Sequence, residues 1–296
     1  MTRSRGEAPA SAATVADLPI GVFDSGVGGL TVLRALRSAL PDERFIYLGD
    51  TARLPYGTKS GETVTRYAEQ AARVLVGRGI KLLVVACNTA SSVALGHLAA
   101  VFAPLPVIGV IEPGAAAACG ASVSGQIGVI ATEGTVRGGA YERAIRAVRP
   151  AAEVVSIACQ LFVALAEEGW VSGPVAEAVA QRYLANVVGE RPGLDCLVLG
   201  CTHFPVLRQA IAAAVGPRVR LVDSAETTAE VVVGCLLRSD LRAGHRTRGQ
   251  DGAGQAGVRF LATDAPARFA RVGAVFLGEA IAPEDVRARG PVTDLV

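Results

Sequence analysis

Short β-branched runs alternate along this chain with longer stretches rich in Ala, Arg and Leu, and no other feature limits the fold as strongly. The runs are Ile20 to Phe23, Phe45 to Leu48, Leu82 to Ala86, Val107 to Val110, Ile127 to Ala131, Val154 to Ile157, Leu197 to Leu199 and Val219 to Val222. Unbroken apolar runs of this length suit strands buried on both faces, and the stretches between them are long enough for crossover helices. The pattern predicts an α/β fold built on doubly wound parallel sheets. Ligands of such folds gather at the carboxyl ends of the strands, so the residues directly after each run are the candidates for chemistry.

The two halves echo each other. Ile20-Gly-Val-Phe-Asp-Ser-Gly-Val-Gly-Gly29 resembles Ile127-Gly-Val-Ile-Ala-Thr-Glu-Gly-Thr-Val-Arg-Gly-Gly139 in its opening run and closing Gly-Gly. Val84-Val-Ala-Cys87-Asn-Thr is matched, at nearly the same spacing, by Leu197-Val-Leu-Gly-Cys201-Thr-His. Any two strand-turn-helix units share glycines and apolar residues, but paired strand-end cysteines point to an internal duplication.

Composition narrows the function class. The 296 residues carry 29 Lys and Arg against 27 Asp and Glu, a net charge of +2, and are 51% hydrophobic and 19% charged. That apolar share excludes a disordered chain, and the near balance of charge argues against direct binding of nucleic acid or a membrane surface. The stretch from Lys81 to Glu112 is free of charge between its ends, yet Asn88, Thr89, Ser91, Ser92, His97, Pro104 and Pro106 interrupt it. A membrane span needs about 20 predominantly apolar residues, so none is expected. The six cysteines form no CxxC pair and no dense scaffold, which predicts reduced thiols in a cytoplasm. Residues 1–18 lack the apolar stretch of a signal peptide and are expected to form a disordered tail. Arg242 to Gly257, rich in Gly, Arg, Gln and His, predicts an exposed loop or linker; Val258 to Ala262 and Ala265 to Leu277 predict a last strand and helix.

Cys87-Asn88-Thr89 and Cys201-Thr202-His203 each follow an apolar run and open the next helix. A helix N-terminus offers unpaired N–H groups and the positive end of a dipole, which favour a thiolate and bind carboxylates. Cys119, Cys159, Cys196 and Cys235 sit among apolar or small residues and are expected only to pack. Asp24-Ser25-Gly26 leads into Gly28-Gly29, where backbone N–H groups can approach a small anion; Thr31 in place of the third glycine spoils a dinucleotide fingerprint. Asp50 to Gly57 ends the second run with Pro55-Tyr56-Gly57, placed to line a pocket with an aromatic hydroxyl.

Other chemistries fit poorly. Pyridoxal phosphate needs a lysine, and neither Lys59 nor Lys81 lies at a strand's carboxyl end. Zinc needs three or four ligands, whereas only Cys201 and His203 are close together. A cysteine protease gives the second strand-end thiol no role. Inversion of a stereocentre by proton transfer uses both: one base takes the α-hydrogen from one face while a second acid delivers a proton to the other. With an ordinary thiol pKa near ~8.5, a modest shift makes both protonation states accessible.

These residues resemble the cofactor-independent glutamate racemases, within the wider aspartate/glutamate racemase group. The resemblance rests on Gly21 to Leu30, Gly49 to Gly57, Ala86-Cys-Asn-Thr-Ala90, Gly128 to Thr132 with Thr135, Gly200-Cys-Thr-His-Phe-Pro205, and the ending Arg268 to Gly278. It implies that Cys87 is the base toward D-glutamate and Cys201 the base toward L-glutamate, with Asp24 assisting Cys87 and His203 assisting Cys201. Substrate binding would fall to Asp24, Ser25, Tyr56, Gly57, Asn88, Thr89, Thr132, Thr135, Thr202 and His203. Aspartate racemases typically carry Glu after the second Cys-Thr, so His203 favours glutamate. One departure is Cys159-Gln160-Leu161-Phe162-Val163-Ala164-Leu165-Ala166-Glu167, which lacks the two prolines the family usually has at 160 and 164; Glu167 is carried over as an auxiliary residue.

The resemblance further implies two similar doubly wound domains with the active site in the cleft between them. The first would be 19–112 completed by 224–296, and the second 113–223. The implied activity needs no cofactor and no metal, supplies D-glutamate for peptidoglycan in the cytoplasm, and belongs to a homodimer. The alternatives are racemisation of another acidic amino acid, or a binding or regulatory protein that kept the fold, including a topoisomerase inhibitor.

Overall fold

The computed structural model describes residues 14–244, 257–288 and 290. Its strands form two sheets. β1 (Ile20–Asp24), β2 (Phe45–Gly49), β3 (Leu82–Val85) and β4 (Val107–Gly109) are joined by two strands from late in the chain, β9 (Val258–Ala262) and β10 (Val286–Ala288), in the order β10-β9-β2-β1-β3-β4. β5 (Gln126–Ala131), β6 (Glu153–Ala158), β7 (Cys196–Gly200) and β8 (Arg220–Asp223) form the second sheet in the order β6-β5-β7-β8. Every pairing is parallel.

β1, β2, β3 and β7 are buried at every position, which is why their sequences are unbroken apolar runs rather than alternating ones. β6 and β8, at the edges of the second sheet, are partly exposed and more polar. The first four strands run 2-1-3-4 and β5 to β8 repeat that order as 6-5-7-8, as the sequence echo predicts. In each sheet the chain leaves the first strand of the unit to one side and returns on the other. The crevice at that reversal lies between β1 and β3 in one sheet and between β5 and β7 in the other. Asp24 ends β1 and Cys87 lies two residues past β3, while Thr132 and Cys201 directly follow β5 and β7.

The crossover helices start where their sequences cap them. Ser60 Oγ accepts from the Thr63 N–H at 3.3 Å to open α2 (Gly61–Val76), and Asp223 Oδ1 accepts from the Ala225 N–H at 3.0 Å to open α10 (Ser224–Arg238). α10 packs on both α1 (Leu30–Ala39) and α4 (Ile111–Ala121), so it ties the helical layers of the two sheets together. Leu30, Leu33 and Leu36 share one apolar core with Val232 and Leu236.

Three regions differ from the sequence reading. Residues 1–13 of the expected tail lie outside the described residues, but its last part is ordered: Val15–Asp17 form a 3-10 turn that the Thr14 and Asp17 side chains close. Most of the expected loop, 245–256, also lies outside them. β10 was absent from the sequence reading because three residues containing Arg287 give no apolar run. Lys81, set aside as the residue before a strand, is fully buried and pairs with Glu43 at 2.5 Å while donating to Ala16 O at 2.6 Å and Leu241 O at 2.7 Å.

Candidate active site

A cavity of about 720 Å3 opens at the carboxyl ends of both sheets. The first sheet's loops contribute Ser25, Leu54 to Gly57 and Cys87 to Thr89. The second sheet's side contributes Thr132, Gln160, Leu161, Val163, Ala164, Glu167, Tyr183 and Cys201 to His203, and Arg268 completes the lining. Both strand-end cysteines are thus brought to one cavity from different sheets.

Each thiol is placed by its strand. Cys87 caps α3 (Asn88–Val101), its sulfur accepting from the Ala90 N–H at 3.5 Å and lying 3.4 Å from Ser25 Oγ. Cys201 follows β7, and its sulfur lies 3.7 Å from His203 Nδ1. His203 Nε2 is 3.3 Å from Glu167 Oε1 on α7 (Leu161–Glu167), and Glu167 Oε2 accepts from Arg268 on α11 (Pro266–Leu277) at 2.9 Å. The edge of Phe276, also on α11, closes on the His203 ring at 5.0 Å between centroids.

The two sides meet through a polar seam. Thr89 Oγ1 lies 3.0 Å from Thr132 Oγ1 and 3.2 Å from Thr135 Oγ1, and the last two are 3.1 Å apart. The Asn88 amide donates to Tyr141 Oη at 2.9 Å, and the Thr31 hydroxyl contacts Thr202 O at 3.2 Å. Asn88 Oδ1, Gln160 Oε1 and Asp24 Oδ1 are buried acceptors without a hydrogen-bond partner among the described residues. Buried acceptors cost free energy unless something donates to them, and an α-ammonium group is a donor of the right kind.

The electrostatics of the two thiols differ. Burial raises the Asp24 carboxyl pKa above its ordinary value, against the pull of His203 and backbone N–H groups. Burial and the neighbouring Asp24 push the Cys87 thiol up to about 12. The shift is not the modest one expected from sequence: Cys87 is a thiol near neutral pH and suited to giving a proton. For His203, burial works toward the neutral form, but its bonds to Cys201 and Glu167 prevail and raise it to about 10. A cationic imidazole therefore faces the Cys201 sulfur. Burial of Glu167 is likewise outweighed by His203 and Arg268, which hold its carboxyl below the ordinary range.

Of the residues singled out in sequence, Ser25, Tyr56, Gly57, Cys87, Asn88, Thr89, Thr132, Glu167, Cys201, Thr202 and His203 line the cavity. Asp24 and Thr135 are not in its wall; Asp24 lies behind Ser25 with Oδ2 accepting from the Gly26 N–H at 2.9 Å, and Thr135 supports Thr89 and Thr132. Tyr56 corrects one expectation: its hydroxyl is committed to Asp50 Oδ2 at 2.5 Å, so the pocket receives the residue but not a free hydroxyl. The sequence reading missed Tyr183 altogether, and quoted Leu54, Gln160, Leu161, Val163, Ala164 and Arg268 without placing them in the wall. Their separation along the chain carries no signal that they converge. No group of three or more His, Cys, Asp and Glu among the described residues is arranged to hold a metal ion. No helix among them is long and apolar enough to cross a membrane.

A profile of Asp/Glu/hydantoin racemases matches residues 20–232. The chain belongs to this racemase family. A glutamate racemase of Geobacter metallireducens is 53% identical over 259 residues, 88% of this chain and 92% of that protein. Among solved structures, the Francisella tularensis glutamate racemase in complex with D-glutamate superimposes with a TM-score of 0.80 at 37% identity, covering 90% of this chain and 96% of its own. A glutamate racemase isoform of Bacillus anthracis gives a TM-score of 0.83 at 34% identity, covering 92% and 97%. An aspartate racemase of Picrophilus torridus, at 17% identity and a TM-score of 0.53, shares the fold.

Proposed function

We propose that the protein interconverts L- and D-glutamate without a cofactor, by a two-base mechanism carried by Cys87 and Cys201. The observation that carries this reading is the arrival of one thiol from each sheet, at matching reversal points, in a single cavity. Relatives named glutamate racemase over most of their length support the choice of substrate.

Cys201, as a thiolate beside the cationic His203, removes the α-proton of L-glutamate. The electron pair left on Cα is delocalised into the α-carboxylate, and the Cys87 thiol delivers its proton to the opposite face to form D-glutamate. The reverse reaction exchanges the roles. Burial and Asp24 disfavour a Cys87 thiolate, and a substrate ammonium seated near Asp24 would offset that charge. The carboxylates would be held by hydroxyls and by the backbone N–H groups at the start of α3. The Asn88 Oδ1 acceptor would take an ammonium N–H.

With this activity go the supply of D-glutamate for peptidoglycan in the cytoplasm, a homodimer as the assembly, and a division into units 19–112 with 224–296 and 113–223. The test is incubation of the purified protein with L-glutamate in buffer without added cofactor, followed by optical rotation. The signal should decay to zero, and Cys87→Ala and Cys201→Ala should each abolish the decay while glutamate binding persists. Substantial turnover in either variant would reject the two-thiol assignment, and decay with L-aspartate alone would move the substrate.

A further inference from the structure

Arg268 contributes the only cationic side chain in the cavity lining among the described residues apart from His203, and no role for it follows from the two-base scheme. It stands at the head of a continuous chain of contacts: Arg268 to Glu167 Oε2 at 2.9 Å, Glu167 Oε1 to His203 Nε2 at 3.3 Å, and His203 Nδ1 to Cys201 Sγ at 3.7 Å. The chain runs from half-exposed to buried, with the Arg268 side chain 44% exposed, Glu167 15% and His203 8%. Among the described residues nothing equivalent reaches Cys87, whose neighbours include Ser25, the Ala90 N–H and Asp24.

We propose that Arg268 is a positioning residue: by holding one oxygen of Glu167 it keeps the other on His203, and so fixes the imidazole against the Cys201 sulfur. This inference rests on the racemase reading above. Three observations support it. Glu167 ends the short helix α7, where its side chain could otherwise rotate into the cavity mouth or out to water. Arg268 comes from α11, a different segment of the chain, so the contact ties α11 to the second sheet's side of the cavity. Phe276, two turns along the same helix, presses on the His203 ring, so α11 holds the imidazole both directly and through the carboxylate.

The groups that govern His203 are few. Cys201 faces it from the end of β7, Glu167 from α7 and Asp24 from the end of β1; Phe276 from α11 is uncharged. Loss of Arg268 moves the ionisations of Glu167 and His203 in opposite directions. Glu167 loses a cation that favours its charged form, so its ionisation moves up toward the ordinary carboxylate range. His203 loses the fixed carboxylate 3.3 Å from Nε2 that favours its protonated form, so its ionisation moves down from its raised value. The plateau of kcat/KM against pH, bounded by ionisations of the free enzyme, should therefore narrow from both sides. A charge-assisted hydrogen bond supports a shift of about one pH unit on each limb.

The experiment compares native protein with Arg268→Met, Arg268→Lys and, as a charge control at an exposed position on the same helix, Arg271→Met. Initial rates of racemisation are measured from both enantiomers between about pH 5 and 11. Arg268→Met should narrow the plateau by about one unit at each limb and lower kcat; Arg268→Lys, which keeps a cation, should recover most of the width, and Arg271→Met should match the native profile. A lowered rate over an unnarrowed plateau would overturn the proposal in favour of a purely structural contact. A raised KM with kcat and plateau unchanged would overturn it in favour of direct substrate binding by Arg268. Failure of the native protein to racemise glutamate would instead refute the underlying activity.

Discussion

Gly28 lies between the two sides of the cavity, and replacing it with alanine tests how tightly the His203 geometry is held. A Cβ built at Gly28 would stand 2.4 Å from Thr202 Oγ1 and 2.5 Å from both Cε1 and Nδ1 of His203. Ordinary contacts between such atoms lie near ~3.5 Å, so the loop and the Cys201-Thr202-His203 segment must separate by about 1 Å. The imidazole cannot simply rotate away, because Glu167 holds one nitrogen at 3.3 Å and Phe276 covers the ring. Displacement by about 1 Å in a catalytic group costs on the order of 100-fold in rate, and overpacking a tight site costs roughly 1–3 kcal/mol of stability. Gly28→Ala is therefore expected to fold, with a melting temperature lowered by a few degrees, and to racemise glutamate about 100-fold more slowly. The assay is the initial rate from L- and from D-glutamate, which must give equal kcat/KM because the enantiomers are equal in free energy. A well-folded variant within about threefold of native kcat/KM would refute the claim that His203 is rigidly placed.

Two further outcomes concern stability. Lys81→Met strands the Glu43 carboxylate in a fully buried site and should cost roughly 3–5 kcal/mol in denaturant unfolding; because Lys81 precedes β3 and Cys87 follows it, kcat of the folded variant should be native. A loss under about 1 kcal/mol would mean that water reaches the pair. His203, at about 10 when folded against roughly 6.5 when unfolded, binds its proton more tightly in the native state. Its contribution to stability is complete below about pH 6.5 and is lost as pH rises through about 10; Cys87, raised to about 12 from an ordinary thiol value near ~8.5, adds a loss of the same sign across that interval. Unfolding measured from pH 6 to 11 should show a flatter alkaline decline in His203→Gln than in the native protein, and an equal decline would contradict the assigned ionisation.

Much of the architecture could be read from the chain because parallel strands buried on both faces write themselves as unbroken apolar runs. Eight of the strands were located that way before β9, and the repeated order of β1 to β4 in β5 to β8 follows from the echo around Cys87 and Cys201. The thiols were legible because they sit directly after such runs. What stayed hidden depends on distant segments converging. Nothing around Tyr183 or Arg268 marks either as a cavity residue, since α8 (Pro174–Glu190) and α11 are brought there only by packing. The committed hydroxyl of Tyr56 is invisible for a related reason: Asp50, which accepts from it, also takes Arg53 at 2.7 Å and Thr263 at 2.9 Å, and Thr263 lies more than two hundred residues away. Lys81 and Glu43 hide equally well, because a buried ion pair looks like two ordinary surface charges until the fold joins them.

The central claim is that separate thiols act on the two faces of one carbon, and isotope incorporation tests it most directly. The protein, equilibrated in D2O, is given L-glutamate, and both enantiomers are separated at low conversion and examined by NMR for deuterium at Cα. The account predicts deuterium in nearly all of the D-glutamate formed and protium retained in the remaining L-glutamate, because Cys201 holds the abstracted proton while Cys87 donates one drawn from solvent. Protium carried from substrate into product, or equal early labelling of both enantiomers, would mean that a single group serves both faces and would contradict the account.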